Sequence, residues 1–397
     1  MTQTLERLGL EYNPFEPVAS GAPLETELWI PESWKNEVRR LIDLVSNARG
    51  VKGLVLQGEY GSGKTYLLKW LQQTVLRERR VLSYYMHNPG LQFYDLADGL
   101  LRQVGRYELA KMVWEQTSPV VHGFQFSYEG GLPGWLRSIA RQKRQDDAIM
   151  AIANAIQEQE ITDDEEIAHR LGRMVVETAT RPYFEYRDFV AGRPSSLVAE
   201  REEAPYFTAL VRILQKATQA EGVAFLIDEF EEIALHKRLT QRQAYDYLAT
   251  LKRLMNVAHN ENFWLVLAMT PSAAEKTWEI ESGLHDRFIT GGGNEFTIPQ
   301  LVPEEATDLV RRRLTHARLS DREQAADYPF PEGFAALLRQ TTISLPRRLV
   351  KVCFQCIAEA ERDPQIAVPF EAGHLQAVEE RLYPAPAPTE AEVEEPV

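Results

Sequence analysis

Only two cysteines occur among 397 residues, Cys353 and Cys356. A chain so poor in cysteine has no disulfide framework, and a reducing, cytoplasmic setting is expected. No apolar run approaches the ~18 residues that cross a bilayer, so no membrane segment is expected. The N-terminus, MTQTLERLGLEYNPF, lacks a basic start followed by an apolar core, the pattern of a secretion signal. Positive charge is scarce: 44 Lys and Arg stand against 58 Asp and Glu, a formal charge of −14. An acidic chain is not a general polyanion binder, so any contact with nucleic acid needs a local basic stripe. The 8 histidines are scattered without H-E-x-x-H or comparable metal spacing. What is present is ordinary for a globular protein, 44% hydrophobic and 26% charged residues. The chain is long enough for one large α/β core with a satellite.

Residues 1–30 carry turn formers throughout, as in NPFEPVASGAPL. PESWKNEVRRLIDLVSNA (31–48) has Trp34, Val38, Leu41, Ile42 and Val45 at helical spacing. VKGLVLQG (51–58) then reads as a short apolar strand, followed by a glycine-rich stretch and the helix TYLLKWLQQTVL. RVLSYYMHN (80–88) reads as a second strand, which starts a parallel α/β sheet. The next central strand is GVAFLIDEF (222–230), followed by FWLVLAMT (263–270) and EFTIPQ (295–300). Residues 89–221 are mainly helical by pattern and exceed an ordinary crossover. The clearest pieces are LADGLLRQVGRYELAKMVWEQ, PGWLRSIARQKR, DDAIMAIANAIQEQ and FTALVRILQKATQA, with turn-rich breaks at 126–134 and 191–196. Pro303 opens EEATDLVRRRLTHA, and EGFAALLRQT, PRRLVKVCFQCIAEAE and FEAGHLQAVEERLY continue a helical C-terminal region. The tail PAPAPTEAEVEEPV is disordered by composition.

The strongest motif is Gly58-Glu59-Tyr60-Gly61-Ser62-Gly63-Lys64-Thr65, a full match to G-x-x-x-x-G-K-[ST] between a strand and a helix. Glycines let backbone N–H groups curl around a phosphate, and the helix N-terminus adds a favourable dipole. Lys64 is expected to reach the β- and γ-phosphates of ATP, and Thr65 to hold Mg²⁺. The strand VAFLIDEFEE delivers Asp228 and Glu229 to the carboxyl edge of the sheet, where ligands bind in open α/β folds. Asp228 would organise Mg²⁺ and Glu229 would orient the attacking water. Glu231 and Glu232 read as ordinary helix-start acids. Thr270, at the tip of FWLVLAMT, would read the γ-phosphate or cap the helix after Pro271. Asn88, at the end of the second strand, is a candidate to hold Glu229 in an off position.

Phosphate loop, Asp-Glu strand, polar-tipped strand and helical C-terminal region, in that order, resemble an AAA+ ATPase. The resemblance is to the replication-initiator-like branch, which includes bacterial transposition regulators and phage-defence ATPases, and covers roughly residues 10–80 and 220–360. It implies a P-loop NTPase core with a parallel sheet and a C-terminal helical lid, while the large, mainly helical insertion lies mostly outside it. The implied division is 1–88 for the adenine-pocket segment and first part of the core, 89–221 for crossover and insertion, and 222–302 for the rest of the core. The lid is then 303–383 and the acidic tail 384–397. Asn13-Pro14-Phe15 resembles the segment lining the adenine pocket, and Thr270 matches the first sensor. Ser344-Leu345-Pro346-Arg347 resembles the second-sensor motif, with serine where glycine is usual. Arg347 would reach the γ-phosphate, with Arg348 as its alternate. Arg287 stands where an arginine often completes a neighbouring subunit's site; the residue alone also fits a surface ion pair.

The resemblance implies a homo-oligomer that binds ATP and ADP and remodels a multi-protein complex in a DNA transaction such as phage defence or transposition. A signalling or scaffold switch docking proteins through the insertion, and a secretion-associated ATPase, are the other classes it admits. Cys353 and Cys356 have C-x-x-C spacing but no second pair, and read as core cysteines. Tyr84, Tyr85, Phe93 and Tyr94 read as facing the insertion. Arg137, Arg141, Lys143 and Arg144 share one helical stretch and read as a solvated face, with phosphate-backbone contact as the other possibility. Arg311-Arg312-Arg313 reads as a solvated helix face. Roughly fifty residues follow Arg347, some of them tail, so no DNA-reading winged helix is expected after the lid and sequence-specific DNA binding by this chain alone is not expected; double-stranded DNA stays a possible partner.

Overall fold

Five short apolar runs become five parallel strands: β1 (Lys52–Gln57), β2 (Val81–Met86), β3 (Gly222–Ile227), β4 (Phe263–Met269) and β5 (Glu295–Thr297). Their order across the sheet is β2-β3-β4-β1-β5. The structure is a computed structural model and describes residues 3–16, 29–46, 52–123, 127–138, 142–180, 197–235, 239–257, 261–289, 294–319 and 325–384. Every residue of β3 and β4 is buried. That is why VAFLI and FWLVLAM read as unbroken apolar runs: a parallel sheet is covered on both faces. The edge strand β2 is largely half-buried instead.

The described residues fall into two compact units. The larger, residues 35–57 and 64–297, holds the sheet and the insertion. Helix Lys64–Trp70 continues into a π-helical stretch, Leu71–Leu76. The β2-to-β3 crossover contains helices Tyr94–Val104, Arg106–His122, Gly131–Ser138, Gln142–Glu158, Glu165–Thr180 and Leu197–Thr218. Their inner faces share one hydrophobic core with the sheet. Phe207, on the last of these helices, lies 4.7 Å from Phe225 on β3 and 6.0 Å from Phe263 on β4, centroid to centroid.

The sequence pattern runs helical through Gly105, but that residue adopts φ 86°, ψ 139° and splits the run into two helices. Only glycine takes such a φ without strain. The turn-rich 126–134 stretch enters a helix at Gly131. Helix Glu165–Thr180 was not among the helical pieces read from sequence. Its signals are an Asp164 carboxylate accepting from the Ile167 N–H at 2.9 Å, and Ile167, Leu171, Met174 and Val175 on one buried face. The acidic tail beyond 384, the 191–196 stretch, Arg141 and the side chains of Tyr94, Arg137, Lys143 and Arg144 lie outside the described residues.

The smaller unit gathers residues 1–34, 58–63 and 298–397. Its helices include Pro303–Ala317, Pro346–Arg362 and Ala372–Leu382. Proline begins two of them, where its missing N–H is harmless. EGFAALLRQT is not a continuous helix. It forms a 3₁₀ turn, Phe334–Leu337, that Leu338 ends with extended backbone at ψ 155°, and a short helix follows at Gln340–Ile343. The core is aromatic: Phe330 lies 5.9 Å from Phe15, 5.2 Å from Phe334 and 5.3 Å from Phe370. Cys353 and Cys356 are buried free thiols in this core, and burial pushes both thiols up from their ordinary range. Arg311 ion-pairs the buried Asp327, and the Arg313 guanidinium donates to the Pro14 carbonyl at 3.1 Å. Arg311 and Arg312 are exposed, as a solvated face requires, and only Arg313 is half-buried against the chain.

Candidate functional site

β1 and β4 pair in register from Lys52↔Trp264 to Gln57↔Met269, and β2 and β3 from Val81↔Gly222 to Met86↔Ile227. The residues following each strand therefore emerge at the same edge. Gly58 follows β1, Asp228 follows β3, Thr270 follows β4 and His87 follows β2. The acidic strand is separated from the phosphate-loop strand by β4 alone.

In the larger unit, the Thr65 hydroxyl donates to Asp228 Oδ2 at 2.6 Å. The Tyr85 hydroxyl donates to the same oxygen at 2.8 Å, and the Glu229 N–H donates to Asp228 Oδ1 at 3.0 Å. Asp228 is 1% exposed. Three donors hold this buried carboxylate in one orientation. Tyr85 does not face the insertion as expected; only Tyr84 turns to the other side, stacked 5.8 Å from Phe225. Alternating strand geometry sends adjacent residues to opposite faces, so the two tyrosines cannot share one. Burial, then the neighbouring Asp228 charge, pushes the Tyr85 hydroxyl well above its usual range, so it stays a proton donor.

Glu229 adopts φ 50°. A non-glycine residue there is strained by roughly 1–3 kcal/mol, and such strain clusters at functional sites. Its carboxylate is 40% exposed and lies 3.8 Å from His87 Nε2. The Asn88 side-chain oxygen accepts from the Gly90 N–H at 2.7 Å in a local turn, and no hydrogen bond joins Asn88 to Glu229 among the described residues. His87 is thus a site residue that the sequence reading missed. Its only signal was its place one step past the end of β2.

Lys64 is 7% exposed, and its Nζ lies 4.0 Å from Glu231 Oε1. Glu231 does sit in the first turn of a helix, Glu231–Ala234, yet its carboxylate turns inward to the lysine. Thr270 caps helix Pro271–Ile280, its hydroxyl accepting from the Ala273 N–H at 3.3 Å. Arg287 is exposed in the last turn of helix Ser282–Ile289 and makes no hydrogen bond or ion pair among the described residues.

In the smaller unit, Gly61 and Gly63 have φ of 87° and 104°, which L side chains rarely adopt. Ser62 Oγ is buried without a hydrogen-bond partner among the described residues. A Cβ on Gly58 would stand 2.4 Å from that oxygen. Arg347 meets this loop: its N–H donates to the Gly61 carbonyl at 3.3 Å, and its guanidinium lies 4.6 Å from the Tyr60 ring centroid. Arg348 points elsewhere, donating to the Thr341 carbonyl at 3.2 Å and lying 5.2 Å from the Tyr383 ring. The Asn13 amide donates to the Phe354 carbonyl at 3.2 Å, and its oxygen accepts from the Phe15 N–H at 3.2 Å. The Phe15 ring is wholly buried, and Pro14 is the partly exposed member of the trio.

These residues fit a nucleoside phosphate with Mg²⁺. The glycine φ values give the loop the left-handed turns of a phosphate cradle, and the buried Ser62 oxygen has no hydrogen-bond partner among the described residues. Mg²⁺ is ordinarily held by one or two protein oxygens plus phosphates and water, and the Thr65–Asp228 pair supplies that number. The described residues contain no cluster of three or more His, Cys, Asp or Glu suited to a metal.

No family model matches the sequence, and no curated protein does. Among solved structures the chain is similar to the Aeropyrum pernix ORC2 protein in its ADP form. The two share 12% identity at a TM-score of 0.43, over 92% of this chain and 71% of that one.

Proposed function

We propose that this chain is an AAA+-type ATPase that couples Mg²⁺-dependent ATP hydrolysis to assembly or remodelling of a multi-protein complex. The observation that carries the reading is the 2.6 Å bond between Thr65 and the buried Asp228. It ties the last residue of a complete phosphate-loop motif to an acid ending a central strand, the arrangement needed to hold a cation against phosphates. Thr65 and Asp228 would hold Mg²⁺, which would supply positive charge against the phosphates. Lys64 neutralises phosphate, while Glu229 orients water and takes up its proton. Arg347, and Arg287 from a second copy of the chain, add charge where the transferring phosphoryl group becomes more anionic. The DNA setting, such as phage defence or transposition, follows from the replication-initiator-like order of the motifs.

The test is phosphate release across protein concentration, with and without double-stranded DNA, beside Glu229→Gln. Turnover per subunit that rises with concentration and DNA and vanishes in the variant supports the reading. Turnover indifferent to both points to a nucleotide-controlled switch for protein partners. Turnover unchanged by the substitution removes Glu229 from the mechanism.

A further inference from the structure

The acidic edge of the sheet carries three carboxylates, and one of them lies beside a buried amine. Asp228 is held by Thr65, Tyr85 and the Glu229 N–H, and the Glu229 carboxylate lies beside His87. Glu231 is placed differently. Its side chain is 20% exposed, Oε1 is 4.0 Å from Lys64 Nζ, and Oε2 is buried with no hydrogen-bond partner among the described residues. A solvated helix-start acid would keep both oxygens in water. Lys64, Asp228 and Glu229 are the charged groups acting on this carboxyl. Burial drives its proton affinity up, the two acids add to that and Lys64 opposes it. The pair is too long for a hydrogen bond, so charge rather than a hydrogen bond ties these two groups. A phosphate oxygen would offer the same amine both charge and a short charge-assisted bond.

We infer that Glu231 is a built-in competitor of nucleotide phosphate for Lys64. Its carboxylate and the phosphate contend for one amine, so Glu231 loosens nucleotide binding and speeds nucleotide exchange. The inference rests on the nucleotide-site reading above and assigns Glu231 no part in cleaving the phosphate bond.

The test measures ADP, ATP and adenosine affinity by calorimetry for the wild type, Glu231→Gln, Glu231→Ala and Lys64→Ala, with folding checked by thermal unfolding. The glutamine is nearly isosteric, so it carries the test if the alanine variant unfolds. Removing the charge should tighten ADP and ATP about tenfold and slow ADP release, while adenosine affinity stays the same. A purely structural role would move adenosine and ADP together, and that result would overturn the inference. So would unchanged or weaker ADP binding in Glu231→Gln alongside lost binding in Lys64→Ala, an outcome that leaves the nucleotide reading intact. If the wild type and all variants fail to bind any nucleotide, the nucleotide reading itself fails and the inference falls with it.

Discussion

The main-chain N–H of Arg347 donates to the carbonyl of Gly61 at 3.3 Å, joining the start of helix Pro346–Arg362 to the phosphate loop. The approach is tight: a Cβ on Gly61 would stand 2.8 Å from the Arg347 Cβ. The neighbouring Arg348 is engaged with Thr341 and Tyr383. Arg347→Ala should therefore lower ATP turnover tenfold or more, as expected of a donor aimed at developing phosphoryl charge, about 10²-fold at the upper end. Arg348→Ala should leave turnover within a few-fold of wild type. Steady-state phosphate release from the two variants decides, and the reverse ranking would move the role to Arg348.

Asp228 makes three hydrogen bonds while almost wholly buried. Asp228→Asn keeps the volume but turns one of the two acceptor oxygens into an N–H₂ donor and removes the charge that would hold Mg²⁺. Turnover should fall by about a hundredfold or more, the size of a lost catalytic group. ADP affinity measured without Mg²⁺ should stay within a few-fold. Equal loss of affinity with and without Mg²⁺ would make Asp228 a scaffold residue only.

Arg287 is exposed and makes no hydrogen bond or ion pair among the described residues. A structural arginine would be paired. Arg287→Ala should reduce turnover in the assembled protein while leaving ATP affinity and thermal stability nearly unchanged. Mixing this variant with Glu229→Gln should restore part of the activity if the two residues act across subunits. Parallel loss of binding and turnover would count against that role.

Phe207 fastens the insertion to the sheet, packed against Phe93, Phe225 and Phe263. Truncating such a buried ring leaves a cavity and costs about 3–5 kcal/mol. Phe207→Ala should show that loss in urea unfolding, in a single transition for insertion and sheet because they share one core. Separate transitions would mean that the insertion folds independently.

The five strands were legible because buried parallel strands are written as apolar runs with turn residues at their ends. The phosphate loop was legible because its chemistry is local: eight consecutive residues carry it. Asp228 and Glu229 were legible as charges ending an apolar strand, which burial otherwise disfavours. Pattern failed where one residue's backbone overrules its neighbours, as Gly105 splits a run whose periodicity continues through it.

The sequence by itself determined the sheet, the nucleotide motif and the acidic pair, since each depends on neighbours in the chain. Only the tertiary structure decided which side chains meet across it. It gave Tyr85 and Thr65 one shared carboxylate oxygen, put His87 beside Glu229, and turned Glu231 from solvent to Lys64. It also set Arg347, not Arg348, against the phosphate loop. The physical reason is distance along the chain: Thr65 and Asp228 are 163 residues apart, and Gly61 and Arg347 further still. Strand order, register and helix rotation set such meetings, and no local spacing encodes them.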